Sequence, residues 1–277
     1  VAGVRVFLTA DGSSLAVERG GSVLGEGRVA RTTSGWDLTV TPDRTATADP
    51  EAVAVLLAEL VATADRAGGG AVRWAVTDPS DAHDQVARGG GLPARRDLLQ
   101  LRRPLPVDEG ARAGSPTIAV RPFRPGIDDA AWLEVNNLAF ADHPDQAGRT
   151  PADLADTVAQ PWFDPEGFLL LDADGDRAGR LDGFCWTKVH TDHDPPLGEI
   201  FVIGVDPSAG GRGLGRALTL AGLDHLHRQG LEVGMLYVDV DNAPAMALYR
   251  RLGFTPHHLD RLYERTAQGR PEPRSRP

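Results

Sequence analysis

Residues 205–216 read Val-Asp-Pro-Ser-Ala-Gly-Gly-Arg-Gly-Leu-Gly-Arg, a turn built almost without side chains. Gly210, Gly211, Gly213 and Gly215 leave consecutive backbone N–H groups free to converge on the oxygens of one anion. Arg212 and Arg216 add positive charge beside them. Such a loop can bind only if its flanks hold it, and both flanks are ordered patterns. Residues 199–205, Glu-Ile-Phe-Val-Ile-Gly-Val, have the length and β-branched content of a strand, which Asp206 and Pro207 end. Residues 214–229 place Leu214, Ala217, Leu218 and Ala221 along one helical face, with Leu220, Leu223 and Leu226 widening it and Gly230 as C-cap. Strand, glycine turn and helix N-terminus make the geometry of a pyrophosphate cradle; a floppy surface loop would lack both flanks. A dinucleotide fingerprint fails, because Arg216 stands where its third glycine belongs, and no Walker lysine follows.

The elements after the cradle carry a second constellation. Residues 233–240 read as a strand, and Asp241 and Asn242 can cap a short helix whose early Pro244 falls where amides lack intrahelical partners. Met246, Tyr249 and Leu252 recur at spacings of three before Gly253 ends the helix. Residues 181–189 read as another strand and hold Cys185, the single cysteine. No histidine and acid pattern surrounds it, so a buried, inert thiol is expected.

This arrangement resembles the GCN5-related N-acetyltransferase family, whose members cradle the coenzyme A pyrophosphate with a loop of the form (Gln or Arg)-x-x-Gly-x-(Gly or Ala). Gly213 and Gly215 match, and Gly210 in the Gln/Arg place is a departure that removes a side chain but keeps the amides. Asn242, Tyr249 seven residues on, and the terminal pair Gly253 and Phe254 match the family's second signature. The resemblance implies an α/β fold, here two tandem acetyltransferase domains with mixed, largely antiparallel sheets.

The whole chain accommodates that duplication. Its 277 residues suffice for two cores, and 39 acidic against 29 basic residues, a formal charge of −10, argue against nucleic-acid binding. One cysteine excludes a disulfide framework and a thiolate zinc site, and no metal is expected. No run of 18 apolar residues and no cleavable leader is recognised, so a monomeric cytoplasmic protein, off the membrane, is expected. Residues 36–43, 50–66 and 72–78 echo the strand, helix and strand of residues 199–239, and final strands follow at 98–104 and 259–264. The expected domains are a degenerate first domain at 1–106, a linker at 107–116, a catalytic domain at 117–266 and a disordered tail at 267–277. Residues 41–49 contain no glycine where the second half has its cradle, so the first domain is expected to bind no comparable phosphate. It also begins directly in a strand at 4–8, being either divergent or incomplete at its opening.

Polar and aromatic material at residues 135–146, 161–165, 186–190 and 198–199 is closely similar to the double-domain mycothiol synthase family. That resemblance implies acetyl transfer from the cosubstrate acetyl-CoA to the cysteinyl amine of a cysteine, glucosamine and inositol conjugate. By position, it implies that Asp145, Lys188, Glu199 and Tyr237 contact the acceptor. Asp145 stands where the family has Glu. It likewise implies that Ile203, Gly204, Val205, Gly210, Gly211, Arg212, Gly213, Leu214, Gly215, Arg216, Asn242, Ala243, Pro244, Ala245, Met246 and Ala247 hold acetyl-CoA. The chemistry suits these residues: carboxylates and donors fit a polyol bearing an amine. Glu199 could serve as general base if Glu199, Phe201, Ile203 and Val205 share one strand face. A backbone N–H near Val205 could meet the oxyanion and Tyr249 could protonate the leaving thiolate. Two alternatives stay open: an acetyltransferase of this fold acting on another small-molecule or protein amine, and a noncatalytic acyl-CoA sensor that would need neither Glu199 nor Tyr249.

Overall fold

The longest apolar helical pattern of the first half forms where its spacing predicts, over Pro50–Arg66 (α1), in a computed structural model that describes residues 3–10, 12–32, 35–41, 49–141, 143 and 146–266. Asp49 caps it by accepting from the Ala52 N–H at 3.0 Å, with Pro50 in the first turn. Val53, Leu56, Leu57 and Leu60 on its inner face are fully buried, each leucine stabilising the fold by about 2 kcal/mol.

The chain divides into two compact units, Val1–Leu99 with His258–Pro277, and Gln100–His257. In the first, β1 (Val4–Leu8), β2 (Leu15–Arg19), β3 (Ser22–Thr32) and β4 (Gly35–Thr41) form an antiparallel meander. α1 then crosses to β5 (Ala71–Thr77), which lies parallel to β4. Trp74, Leu38 and Val40 of this sheet join the α1 leucines in one core. A short helix α2 (Asp81–Gly89) leads into β6 (Ala94–Pro104), whose first half, to Leu99, belongs here.

The second unit repeats that logic. After a single turn of helix, α3 (Glu109–Arg112), come β7 (Arg121–Pro122), α4 (Asp129–Ala139), α5 (Pro151–Val158), β8 (Phe168–Asp172) and β9 (Leu181–His190). β7 to β10 (Leu197–Val205) pair antiparallel in sequence order. α6 (Leu214–Arg228) then crosses to the parallel strand β11 (Val233–Asp239), and α7 (Ala243–Arg251) follows. The aromatic core on the α4 side is continuous: Trp186 stacks on Phe168 at 4.2 Å, Phe168 on Phe123 at 4.3 Å, and Trp132 meets Phe184 edge-on at 5.6 Å. On the other face α6 lies so close that a Cβ on Gly222 would stand 2.5 Å from Cys185 Sγ.

The units divide at 99/100 and 257/258, where domain bounds at 106, 116 and 266 are expected. The last strand, β12 (Thr255–Arg265), does not remain with the second half: Asp260 to Arg265 pair antiparallel with Thr77 to Val72 of β5. Arg261 there ion-pairs with both Asp84 and Asp97, and the Tyr263 hydroxyl donates to Asp84 at 2.6 Å. Conversely, Gln100 to Pro104 of β6 lie in the second unit, flanking β11. Gln100 to Pro104 of β6 and His258 to Arg265 of β12 thus each lie in the unit of the other repeat. The segment expected as a linker is also tied down: Arg112 ion-pairs with Asp224 of α6, and the Ala111 carbonyl accepts from Arg216 at 2.8 Å. The expected tail at 267–277, most of 41–49, and Asp145 lie outside the described residues.

Candidate active site

The cradle forms as its flanks dictate. β10 ends at Val205, a 3₁₀ turn covers Pro207–Ala209, and α6 begins at Leu214. Gly211 and Gly213 adopt left-handed backbone, φ +77° and +73°, which a side chain would strain. Gly213 is the N-cap of α6, so the first-turn amides of that helix open onto the loop. The loop is braced from behind by acids. Asp206 accepts from the Ser208 N–H at 2.8 Å and from Arg177 at 2.6 Å. Burial by itself would raise the Asp206 carboxyl, but the Ser208 hydrogen bonds and nearby Arg177 outweigh it and hold it below the usual carboxylate range. Buried Asp182 takes Arg212 at 2.6 Å. Arg216 donates to the Ala111 carbonyl at 2.8 Å, and Leu214 is a buried core residue. The expected positive charges of this loop therefore have protein partners, although the Arg212 side chain stays 58% exposed.

Beside the cradle the sheet opens. β10 pairs with β11 at Gly198↔Gly234 and Glu199↔Met235 and then parts from it, although β10 runs on to Val205 and β11 to Asp239. The pairing of β10 with β9 shifts register between Ile200 and Val202, making Phe201 a bulge. This corrects the expected face. Val202 joins Phe201 on the side of Trp132 and Trp186, whereas Val205 lies toward Gly215 of α6. Ile203 and Val205 thus do not continue the face of Glu199 and Phe201. The parted edge leaves backbone groups of residues 200–205 for an extended ligand to meet.

Glu199 stands at the point of parting, 7% exposed. Its Oε2 lies 2.7 Å from His190 Nε2. Lys188 is its cross-strand neighbour, yet the Lys188 ammonium sits 4.7 Å from the Trp162 ring centroid and 5.5 Å from that of Phe201, a cation held by two π faces. Tyr237 on β11 is 41% exposed, and its hydroxyl accepts from Gln100 Nε2 at 2.7 Å, while Arg102 Nε donates to Gln100 Oε1 at 2.6 Å. Tyr249 is buried on α7 with its ring edge-on to Phe254 at 5.7 Å. Burial, with Cys185 adding to it, pushes its phenol above the ordinary tyrosine value. Asn242 caps α7, accepting from the Ala245 N–H at 3.1 Å, and Ala243, Pro244 and Ala247 are exposed while Ala245 and Met246 are half-buried. Cys185 is fully buried, its thiol pushed up to about 12.

His190, Gln100 and Trp162 were missed as site residues. His190 had a signal: it lies on the strand face of Lys188, two residues on, so in the hairpin of β9 and β10 it falls diagonal to Glu199. Gln100 had none, since it comes from another part of the chain. Among the described residues no group of three or more His, Cys, Asp or Glu is gathered as metal ligands would be, and no helix is long and apolar enough to cross a membrane.

Fold and cradle together define an acetyltransferase of the GNAT class. The model of the acetyltransferase (GNAT) family matches residues 132–254. A GCN5-related N-acetyltransferase from Sphaerobacter thermophilus has the same fold, with a TM-score of 0.67, 22% identity, and coverage of 92% of this chain and 80% of that one. A tandem GNAT protein from the clavulanic acid biosynthesis pathway gives a TM-score of 0.59 at 17% identity over 97% and 85% of the two chains. Closer in sequence are the mycothiol acetyltransferases of Thermomonospora curvata, 49% identical over 74% of this chain and 67% of that protein, and of Streptomyces griseus, 45% identical over 78% and 73%. The chain belongs to the mycothiol acetyltransferase family. It is an acetyl-CoA-dependent acetyltransferase, with acetyl-CoA as cosubstrate.

Proposed function

We propose that this enzyme acetylates the cysteinyl amine of a cysteine, glucosamine and inositol conjugate, completing mycothiol in the cytoplasm. The observation that carries the reading is the buried Glu199 carboxylate, hydrogen-bonded to His190 and placed where β10 and β11 part next to the glycine cradle. Acetyl-CoA lays its pyrophosphate on the amides of residues 210–216 and its thioester arm along the open edge of β10. Lys188, Tyr237 and Asp145 contact the acceptor. Its amine must be neutral to attack, and Glu199 takes the proton. Nitrogen adds to the thioester carbonyl, an N–H near Val205 holds the oxyanion, and the C–S bond breaks as Tyr249 protonates the thiolate, while the second proton shed by the nitrogen restores the Tyr249 phenol.

A panel of amines with acetyl-CoA, read by release of free coenzyme A, tests the acceptor. Turnover of the cysteinyl conjugate should exceed that of aminoglycosides and peptide N-termini by at least about a hundredfold in kcat/KM, roughly 2.7 kcal/mol. Better turnover of either competitor would move the enzyme to another acceptor of the same fold. Coenzyme A binding without turnover of any amine would make it a sensor.

A further inference from the structure

We infer that His190 positions Glu199 and is the outlet for the proton that acetyl transfer releases, an assignment that rests on Glu199 being the base. An ammonium and a thioester become an amide and a thiol, so charge balance sends one proton to solvent in each turnover. Glu199 cannot shed it directly with ease, being 7% exposed. Lys188, its neighbour across the strands, is a cation engaged with aromatic rings and has no lone pair to accept a proton. His190 has both contacts the task needs. Its Nε2 lies 2.7 Å from Glu199 Oε2, its side chain is 20% exposed, and its ring is 6.2 Å from that of His193 in an exposed turn.

While Glu199 is ionised, His190 Nε2–H donates to Oε2 and fixes the carboxylate rotamer, leaving Oε1 for the amine. Once Glu199 holds the proton taken from nitrogen, the partly exposed imidazole exchanges through water to the tautomer protonated on Nδ1. The Glu199 O–H bond then breaks as Nε2–H forms, and the Nδ1 proton leaves to water. The carboxylate and the neutral imidazole are both restored, so no other reactant is required.

The full-length protein tests this with His190→Ala, His190→Gln, Glu199→Gln and the double variant Glu199→Gln with His190→Ala, all checked for native circular dichroism. Both His190 variants should lower kcat about tenfold or more with acetyl-CoA KM within twofold of the parent. His190→Gln can still donate to Glu199 and should keep the acceptor KM, which separates positioning from proton release and covers the case in which His190→Ala fails to fold. Added imidazole should restore His190→Ala toward the parent, and the double variant should be no slower than Glu199→Gln and insensitive to imidazole. A kcat within twofold of the parent in His190→Gln, or a deficit in His190→Ala that imidazole leaves unchanged, would overturn the assignment. A parent-like kcat in Glu199→Gln would instead remove Glu199 as base, a distinct failure seen without any change at His190.

Discussion

Gly213→Asp separates the cradle's backbone geometry from its charge. Gly213 has φ +73°, and a Cβ there would stand 3.3 Å from Pro116 Cδ. A left-handed backbone costs an ordinary residue about 1–2 kcal/mol, less for Asn and Asp, and the Pro116 ring must yield by a few tenths of an ångström. Those costs fall on folding and are common to Asn and Asp, so Gly213→Asn is the matched control. The carboxylate adds repulsion of the pyrophosphate. For unit charges about 6 Å apart this is about 0.7 kcal/mol at the permittivity of water and about 2.8 kcal/mol at an effective value near 20. A loss of about 1.4 kcal/mol lies between them, a tenfold rise in Kd. Calorimetric titration with acetyl-CoA should therefore place Gly213→Asp at least about tenfold weaker than Gly213→Asn, with the gap narrowing as salt rises. Equal affinity of the two folded variants would refute the placement of pyrophosphate on these amides.

The remaining expectations use other parts of the molecule. Tyr249→Phe keeps the ring against Phe254 and should show a rate deficit that shrinks with an acetyl thioester of a more acidic thiol, provided chemistry limits turnover; equal deficits with both donors would deny Tyr249 an acid role, and selective rescue of Tyr237→Phe would transfer it. A fragment starting at residue 117 lacks Gln100 to Pro104 of the second unit and leaves β12 without β5, so it should melt without a cooperative transition, and a sharp melt with full acetyl-CoA affinity would contradict the exchanged strands. Cys185, its thiol pushed up to about 12 by burial, stays neutral at pH 8 and should react with a thiol reagent at the rate of unfolding. Prompt labelling of the native protein would show that the site is open.

The cradle was legible in the sequence because its determinants are local. A strand pattern, four glycines and an apolar helix face lie within about thirty consecutive residues, and each acts on its own backbone, as Gly213 at the α6 N-cap and Asn242 at the α7 N-cap do. That Glu199 lies on a strand and Tyr249 on a helix was legible for the same reason, since the ends of both elements are marked. The bulge at Phe201 was not, because alternation of residue types carries no sign of one extra residue, and that residue turned Ile203 and Val205 away from the expected face. The partners of Glu199, Lys188 and Tyr237 depend on which strands and loops meet. His190 reaches Glu199 across a hairpin, Trp162 reaches Lys188 from the segment after α5, and Gln100 reaches Tyr237 from 137 residues away. The exchange of β6 and β12 is the extreme case. Two repeats of similar pattern offer each final strand an equivalent sheet edge, and nothing in a strand's own residues says which edge it takes. Side-chain contacts made only after folding, such as Arg261 with Asp84 and Asp97, distinguish the two edges, so that choice belongs to the tertiary structure.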